Sequence, residues 1–278
     1  MLLNEYKVIE KIHSSSYVTI WKTIKEGSND FCLVYKMSKN CDDDKFVNKV
    51  IKEGIEVLKD INHPNILKLL DIKEDPEYYF LIYEYCNGGN LYDFFENHKQ
   101  ETGQPLSEGI IQYIMKQLVD AVKYLHDKKI VHRNIIPKEI LIKYDSEEAL
   151  LNKNILKSKI FLAGFDFSTH LKKGDMLDTY IGTKNYMAPE IREFKSYDEK
   201  VDIWNLGIIC YELLFGKYPY ISYKKYKIEY DSLKSLSKEI KSFIESILQE
   251  DPIKRISANE LKKHEFLIKN YRGFIKEG

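Results

Sequence analysis

The chain has 278 residues, 44% of them hydrophobic, and its 43 Lys and Arg residues balance 43 Asp and Glu residues. This length is enough to bury a sizeable core in one large domain or two lobes. A formal charge of zero excludes a global field that attracts nucleic acid or an anionic membrane. No apolar run approaches the roughly 20 residues of a membrane helix, and the N-terminal residues lack a signal-peptide core. We therefore expect an intracellular protein, cytoplasmic or nuclear, without nucleic-acid or membrane partners.

The first third of the chain alternates short β-prone runs with one helical segment. The β-prone runs are rich in Val, Ile, Tyr and Phe and cover Tyr6–Ile12, Tyr17–Lys22, Phe31–Met37, Ile66–Ile72 and Tyr78–Tyr85. Apolar residues at helical spacing predict a helix over Lys45–Leu58. The acidic run Asp42–Asp44 before it suits a helix N-terminus.

Beyond a turn at Asn87–Asn90 the pattern becomes helical. The predicted helices cover Leu91–Asn97, Ser107–Lys128, Ser196–Gly216, Ser235–Gln249 and Ser257–Phe266. Ser107 followed by Glu108 is typical of an N-cap and a first turn. The polar segment Tyr144–Ser158 predicts a long hairpin loop between two strands. A small, mostly β part followed by a large, mostly α part predicts an α+β fold.

Seven short motifs occur in a fixed order along the chain. They are Leu33–Lys36, His63–Ile66, Glu84–Gly89, His132–Leu141, Gly182–Glu190, Asp202–Gly207 and Asp251–Arg255. Together they resemble the protein kinase domain of the serine/threonine type, from about Tyr6 to Phe266. The resemblance implies a single bilobal domain over residues 1–278. Its small antiparallel β lobe with one helix spans 1–84, its larger helical lobe spans 85–278, and the hinge lies near 84–87.

The catalytic loop of this family reads His-Arg-Asp-Leu-Lys-Pro-Glu-Asn, and this chain departs from it at chemically important positions. Asn134 replaces the Asp that accepts the proton of the substrate hydroxyl, and an amide accepts no such proton. Ile136 replaces the Lys that stabilises the transferring phosphoryl group. Glu139 replaces an Asn that holds Mg²⁺, so it is a candidate metal ligand with a different reach.

The metal-binding Asp-Phe-Gly motif has two possible counterparts, Gly164-Phe165-Asp166 and Leu162-Ala163-Gly164. The first keeps Phe165 in the hydrophobic spine of the family and is preferred, but the second stays open. Both lack the metal-binding Asp. Asp166 lies two residues after Gly164, and in an extended strand residues i and i+2 share a face. Asp166 is therefore a second candidate metal ligand.

The expected nucleotide cleft combines lost and retained features. The family's glycine-rich loop is replaced at His13, Ser15 and Val18, where side chains hinder the approach of backbone N–H groups to phosphate. Lys36 is the family's phosphate-contacting Lys, but Gly54 stands at the position of its Glu partner. The candidate cleft residues are Ile20, Val34, Lys36, Glu84, Cys86 and Leu141.

The scaffold positions of the family are retained. The resemblance implies a packing spine of Leu58, Leu69, His132 and Phe165, a bulky gatekeeper at Tyr83, a regulatory Arg133, a structural Asp202, and a buried ion pair between Glu190 and Arg255.

Several catalytic positions have changed while the scaffold is intact, and this favours a catalytically inactive or severely impaired homologue. Such a pseudokinase would act as a scaffold or regulator of signalling, with other proteins as partners, for example an active kinase or its substrate. It would require no cofactor; ATP binding would be weak and Mg²⁺ binding doubtful. Two alternatives stay open. One is an active serine/threonine kinase or nucleotide-dependent transferase that uses Lys36, Glu139 and Asp166, and the other is an ATP-binding switch without turnover.

Overall fold

The structure is a computed structural model that describes residues 5–15, 18–39, 45–172, 174–222, 225–227 and 236–269. The acidic run at 42–44 and the predicted helix start at Ser235 lie outside the described residues. Within the described ranges, none of the helices is both long enough and apolar enough to cross a membrane.

A five-stranded antiparallel sheet forms the small lobe, with strand order β1-β2-β3-β5-β4. Its elements are β1 (Tyr6–Ser14), β2 (Val18–Lys25), β3 (Phe31–Ser38), helix α1 (Lys45–Lys59), β4 (Leu69–Glu74) and β5 (Tyr78–Glu84). Every strand of this sheet overlaps one of the predicted β-prone runs, because β-branched and aromatic residues pack well on a half-buried pleated surface.

The two faces of this sheet carry different side chains. In β3, Leu33 and Met37 are buried in the main core, and the register pairs Leu33 with Tyr83 of β5. Val34 is buried on the opposite face in a small separate cluster with Tyr6, Cys32, Phe80 and Ile82. Because side chains alternate between the two faces along a strand, Leu33 and Met37 lie on the same face as Tyr83 and Val34 lies on the other.

Helices dominate the large lobe. Its elements are α2 (Leu91–Thr102), α3 (Glu108–Asp127), β6 (Ile130–Val131), β7 (Ile140–Tyr144), α4 (Glu147–Leu151), β8 (Ser158–Leu162), β9 (Thr169–His170), α5 (Pro189–Arg192), α6 (Lys200–Phe215), β10 (Tyr220–Ser222), β11 (Lys225–Lys227), α7 (Lys238–Ile247), α8 (Ala258–Leu261) and α9 (Glu265–Ile268). Helix α6 is buried on all sides from Val201 to Leu214, as its nearly continuous apolar sequence predicts. The bilobal α+β fold is thus confirmed.

Two predictions for the large lobe were wrong. The segment predicted as a loop between Tyr144 and Ser158 contains helix α4, because the Ser146 side chain caps it and Ala149 is buried. The helix predicted over Ser257–Phe266 is two short helices. Ser257 and Glu260 form a capping box at the start of α8, and His264 caps α9.

The lobes meet at the hinge and at the loop after α1. Glu84 at the end of β5 forms an ion pair with Lys143 of β7 at 2.8 Å. Asn65 donates hydrogen bonds to Gln117 Oε1 and to the Ile160 carbonyl at 2.9 and 3.0 Å. These contacts join the small lobe to the large lobe.

Candidate active-site cleft

Buried Asp202 holds the catalytic loop in place. Its carboxylate accepts hydrogen bonds from the backbone N–H groups of His132 and Arg133 at 3.0 and 2.8 Å. His126 Nε2 lies 2.9 Å from the same carboxylate. Burial opposes ionisation of Asp202, but the hydrogen bonds and charges of His126 and His132 together outweigh it and lower the pKa of Asp202. The loop is thereby fixed with Arg133 at φ 69°, in the left-handed region that side chains rarely adopt.

Asn134 contacts Thr183 in the motif Gly182–Glu190, which resembles the end of the family's activation segment. Its Oδ1 accepts hydrogen bonds from the backbone N–H and the hydroxyl of Thr183, at 3.0 and 2.8 Å. The amide oxygen is therefore engaged in holding the segment beside the loop. Because it carries no negative charge, it does not serve as a proton acceptor.

The carboxylate of Glu139 lies against Gly164. Gly164 has φ 72°, and a Cβ at this position would lie only 2.5 Å from Glu139 Oε2. Glu139 therefore fills the space that a side chain at position 164 would need. The Glu139 side chain thus places a carboxylate directly beside a residue that has no side chain of its own.

Asp166 provides a second acid near Glu139. Burial raises the pKa of Glu139 to about 7, the charge of Asp166 adds to this increase, and Lys138 opposes it. Burial also raises the pKa of Asp166 to about 6. Among the described residues, no group of three or more His, Cys, Asp or Glu side chains is placed to hold a metal ion. Two carboxylates suffice for Mg²⁺ when substrate phosphates and water complete its coordination.

Phe165 is buried in the main core against the His132 ring. Its ring centroid is 4.7 Å from that of His132 in an edge-to-face arrangement, and His132 Nε2 is hydrogen-bonded to the Ala163 carbonyl at 2.8 Å. Leu58 is buried in the same core, and Leu69 packs against it. Phe165, rather than Ala163, thus makes the aromatic contact that favours the Gly164-Phe165-Asp166 alignment.

Lys36 and Val34 do not face the cleft, contrary to expectation. Lys36 Nζ lies 3.5 Å from the ring centroid of Tyr78, on the same outer face of the sheet as buried Val34. Tyr35 lies on the cleft side instead, with its ring 5.1 Å from that of Tyr83. Burial, reinforced by the charges of Glu139 and Asp166, raises the pKa of Tyr35 well above its usual value. Sequence reasoning missed Tyr35, although the alternation of Leu33, Tyr35 and Met37 indicated it.

The remaining cleft candidates are apolar side chains, the buried Tyr83 and the buried thiol of Cys86. Ile20 and Leu141 are partly buried against the main core, and Tyr83 is buried behind the cleft. Burial raises the pKa of Cys86 to about 12, so its thiol stays protonated. Between β1 and β2, the Ser15 N–H donates to the Val18 carbonyl at 2.8 Å.

We expect Lys36→Met to leave activity in the cleft unchanged and to cost about 0.5–1 kcal/mol of stability, because it removes a cation–π contact on the outer face. Tyr35→Phe, which removes a hydroxyl from the cleft side, is the variant to compare with it. For both proteins, urea unfolding measures the stability and a phosphotransfer assay measures the activity. A large loss of activity in Lys36→Met would show that Lys36 reaches the cleft.

Glu190 and Arg255 form a buried bidentate pair in the large lobe. Arg255 Nη1 and Nη2 donate to the Glu190 carboxylate at 2.6 and 3.0 Å. Arg133 connects the catalytic loop to the turn that carries Asp166, because its Nε donates to the Phe167 carbonyl.

Comparison with known proteins identifies the family. The family model "Protein kinase domain" matches residues 6–267. The chain belongs to the protein kinase domain family. It is 36% identical over 277 residues to "Serine/threonine-protein kinase ULK3" of Xenopus laevis, covering 95% of this chain and 56% of that protein. It is 30% identical to the human protein of the same name, covering 94% and 54%.

A third similar kinase is "Serine/threonine-protein kinase atg1" of Dictyostelium discoideum, 30% identical with 95% of this chain and 39% of that protein covered. The chain thus spans about half or less of the length of these curated relatives. The prediction of an inactive pseudokinase scaffold was wrong, because these relatives carry the names of serine/threonine kinases and none is described as inactive. The alternative of an active kinase fits these similarities better.

Proposed function

We propose that this kinase-family chain is an atypical serine/threonine protein kinase in which Glu139 and Asp166 supply the acidic groups of the cleft. The observation that carries the proposal is the contact of the Glu139 carboxylate with Gly164, where a Cβ would lie 2.5 Å from Glu139 Oε2. It keeps a carboxylate beside position 164 although that residue is glycine. The names of the similar proteins support the same reaction class. Protein substrates and a cytoplasmic or nuclear location belong to this proposal.

The residues present fit a divalent cation and a nucleotide. Ionised Glu139 and Asp166 offer the hard oxygen atoms that suit Mg²⁺ or Mn²⁺. Ile20 and Leu141, both partly buried, offer apolar surface to a base. A bound nucleoside triphosphate with its cation would supply the phosphoryl group.

Positioning and charge neutralisation account for most of the catalysis of phosphoryl transfer. The transfer forms a bond between the substrate hydroxyl oxygen and phosphorus, breaks the bond from phosphorus to the leaving diphosphate, and releases the hydroxyl proton to water. Asn134 orders the activation segment but takes no proton. Since loss of a general base typically costs about 10²–10⁴ in rate, we expect a slow kinase.

Glu139→Gln and Asp166→Asn are each expected to reduce phosphotransfer by about 100-fold or more, because each removes a charge that a preorganised site uses. The measurement is transfer of labelled phosphate from ATP to a Ser- and Thr-containing protein, with Mg²⁺ or Mn²⁺. Glu193→Gln, at an exposed surface pair with Lys195, is the matched control, and its purification in parallel also controls for contaminating kinases.

Two results would overturn this proposal. One is the absence of turnover by the unmodified protein with either cation. The other is turnover that persists in both Glu139→Gln and Asp166→Asn.

A further inference from the structure

Gly54 brings helix α1 into contact with the backbone of the turn that carries Asp166. A Cβ at Gly54 would lie 2.3 Å from the Phe165 carbonyl oxygen and 3.1 Å from the Asp166 carbonyl oxygen. Ordinary contacts of a Cβ begin at 3.4 Å, so a side chain here would separate the helix from the turn by about 1 Å. A glycine inside a helix costs about 1 kcal/mol of stability relative to alanine. Glycine at position 54 nevertheless suits this fold, because only a residue without a Cβ allows the helix to lie this close to the turn.

The neighbouring residue adds a second contact at the same junction. Glu53 Oε2 accepts a hydrogen bond from the Thr169 hydroxyl at 3.2 Å, and Thr169 in β9 pairs with Val131 in β6. Residues 53 and 54 thus hold both ends of the short segment 165–169. On the other side, Arg133 donates to the Phe167 carbonyl. Asp166 is therefore placed by α1 and by the catalytic loop together.

We propose that Gly54 is a positioning residue of the phosphotransfer site, which, with the Glu53–Thr169 hydrogen bond, fixes where Asp166 lies relative to Glu139. This inference rests on the proposed function for its effect on catalysis. The resemblance puts Gly54 at the position of the Glu that pairs with the family's Lys, so no such ion pair forms at position 54, and Lys36 lies on the outer face of the sheet. Direct backbone contact replaces this ion pair.

Gly54→Ala tests the inference. We expect kcat to fall by about 100-fold with KM for a peptide substrate unchanged, because a displacement of about 1 Å misplaces a reacting group without removing substrate contacts. Mn²⁺ affinity of the free protein, measured by electron paramagnetic resonance, is expected to fall as well. Amide hydrogen exchange over residues 165–169 is expected to become faster.

Gly109→Ala is the matched control. Gly109 also lies in a helix, in the first turn of α3, and a Cβ there would meet nothing within 4 Å. We expect this variant to keep the activity, Mn²⁺ affinity and exchange pattern of the unmodified protein. A loss in Gly54→Ala that Gly109→Ala does not share is then due to the junction and not to the general effect of alanine in a helix.

Thr169→Val provides a milder change at the same junction, since it removes the hydroxyl donor and keeps the shape. It is expected to lower kcat and Mn²⁺ affinity in the same direction as Gly54→Ala, but less. A folded Gly54→Ala protein with unchanged kcat and Mn²⁺ affinity would overturn the inference. If Gly54→Ala does not fold, an unchanged Thr169→Val protein would overturn it. Absence of turnover in the unmodified protein would reject the proposed function, whereas Mn²⁺ affinity and amide exchange still report on the junction.

Discussion

Arg255→Ala is expected to destabilise the protein by about 3–5 kcal/mol, which is enough to unfold many domains of this size. Arg255 and Glu190 have side-chain exposures of 0% and 4%, so the substitution leaves the Glu190 carboxylate buried without its cation. Arg255 also donates to the carbonyls of Gln249 and Lys200, at 3.0 and 2.9 Å. Urea unfolding at pH 7, followed by circular dichroism, measures the change.

The pair Lys195–Glu193 on the surface provides the comparison, because exposed ion pairs contribute about 0–1 kcal/mol. Lys195→Ala should therefore unfold at nearly the same urea concentration as the unmodified protein. Replacing both buried partners, in Glu190→Leu with Arg255→Met, should recover part of the lost stability. If Arg255→Ala is no less stable than Lys195→Ala, the buried pair does not stabilise the large lobe as its geometry indicates.

Glu139→Gln is expected to stabilise the protein by about 1–3 kcal/mol at pH 8 and to have little effect near pH 4. The pKa of Glu139 is about 7 in the folded protein, above its usual value of 4.5. As the pH rises from 4.5 to 7, the unfolded chain releases the proton first, so the unmodified protein loses stability across this range and no more above it. Glutamine has nearly the same shape and does not ionise. Chemical unfolding at several pH values between 4 and 8 measures the difference.

Glu10→Gln, an exposed residue of β1, is the control and should follow the unmodified protein at every pH. Curves for Glu139→Gln and the unmodified protein that stay parallel from pH 4 to pH 8 would contradict the raised pKa of Glu139. Since the same substitution is expected to reduce phosphotransfer by about 100-fold or more, stability and activity should change in opposite directions. Such opposition is typical of a group retained for its chemistry.

The lobes, the strands and the buried helix α6 could be predicted because each depends on local pattern. Short β-prone runs predict the strands and a long apolar run predicts α6, and both can be read from the sequence without knowing which segments they contact. The family motif placed Lys36 in the cleft, whereas the pleat of β3 places Tyr35 there. The period-two alternation of the strand predicts the position of Tyr35 better than the motif does, because successive side chains of a strand lie on opposite faces of the sheet.

The cleft itself depended on contacts between distant segments. Gly54 looked like a defect of α1 when judged by helix propensity alone, but its role depends on the Phe165 carbonyl more than 100 residues away. In the same way, no local pattern connects Glu139 with Gly164, because their relation is one of space in the folded chain. Sequence reasoning named these residues and could not derive how they fit together.

The contact between Glu139 and Gly164 also means that the two positions do not vary independently. A Cβ at 164 would lie 2.5 Å from Glu139 Oε2 and the φ of 72° strains any side chain there, so an acid at 164 requires the Glu139 side chain to move and the backbone to relax. Introducing the family's acid at 164 therefore involves the side chain at 139 as well as the local backbone. The effect of an acid at 164 should thus depend on which residue occupies position 139.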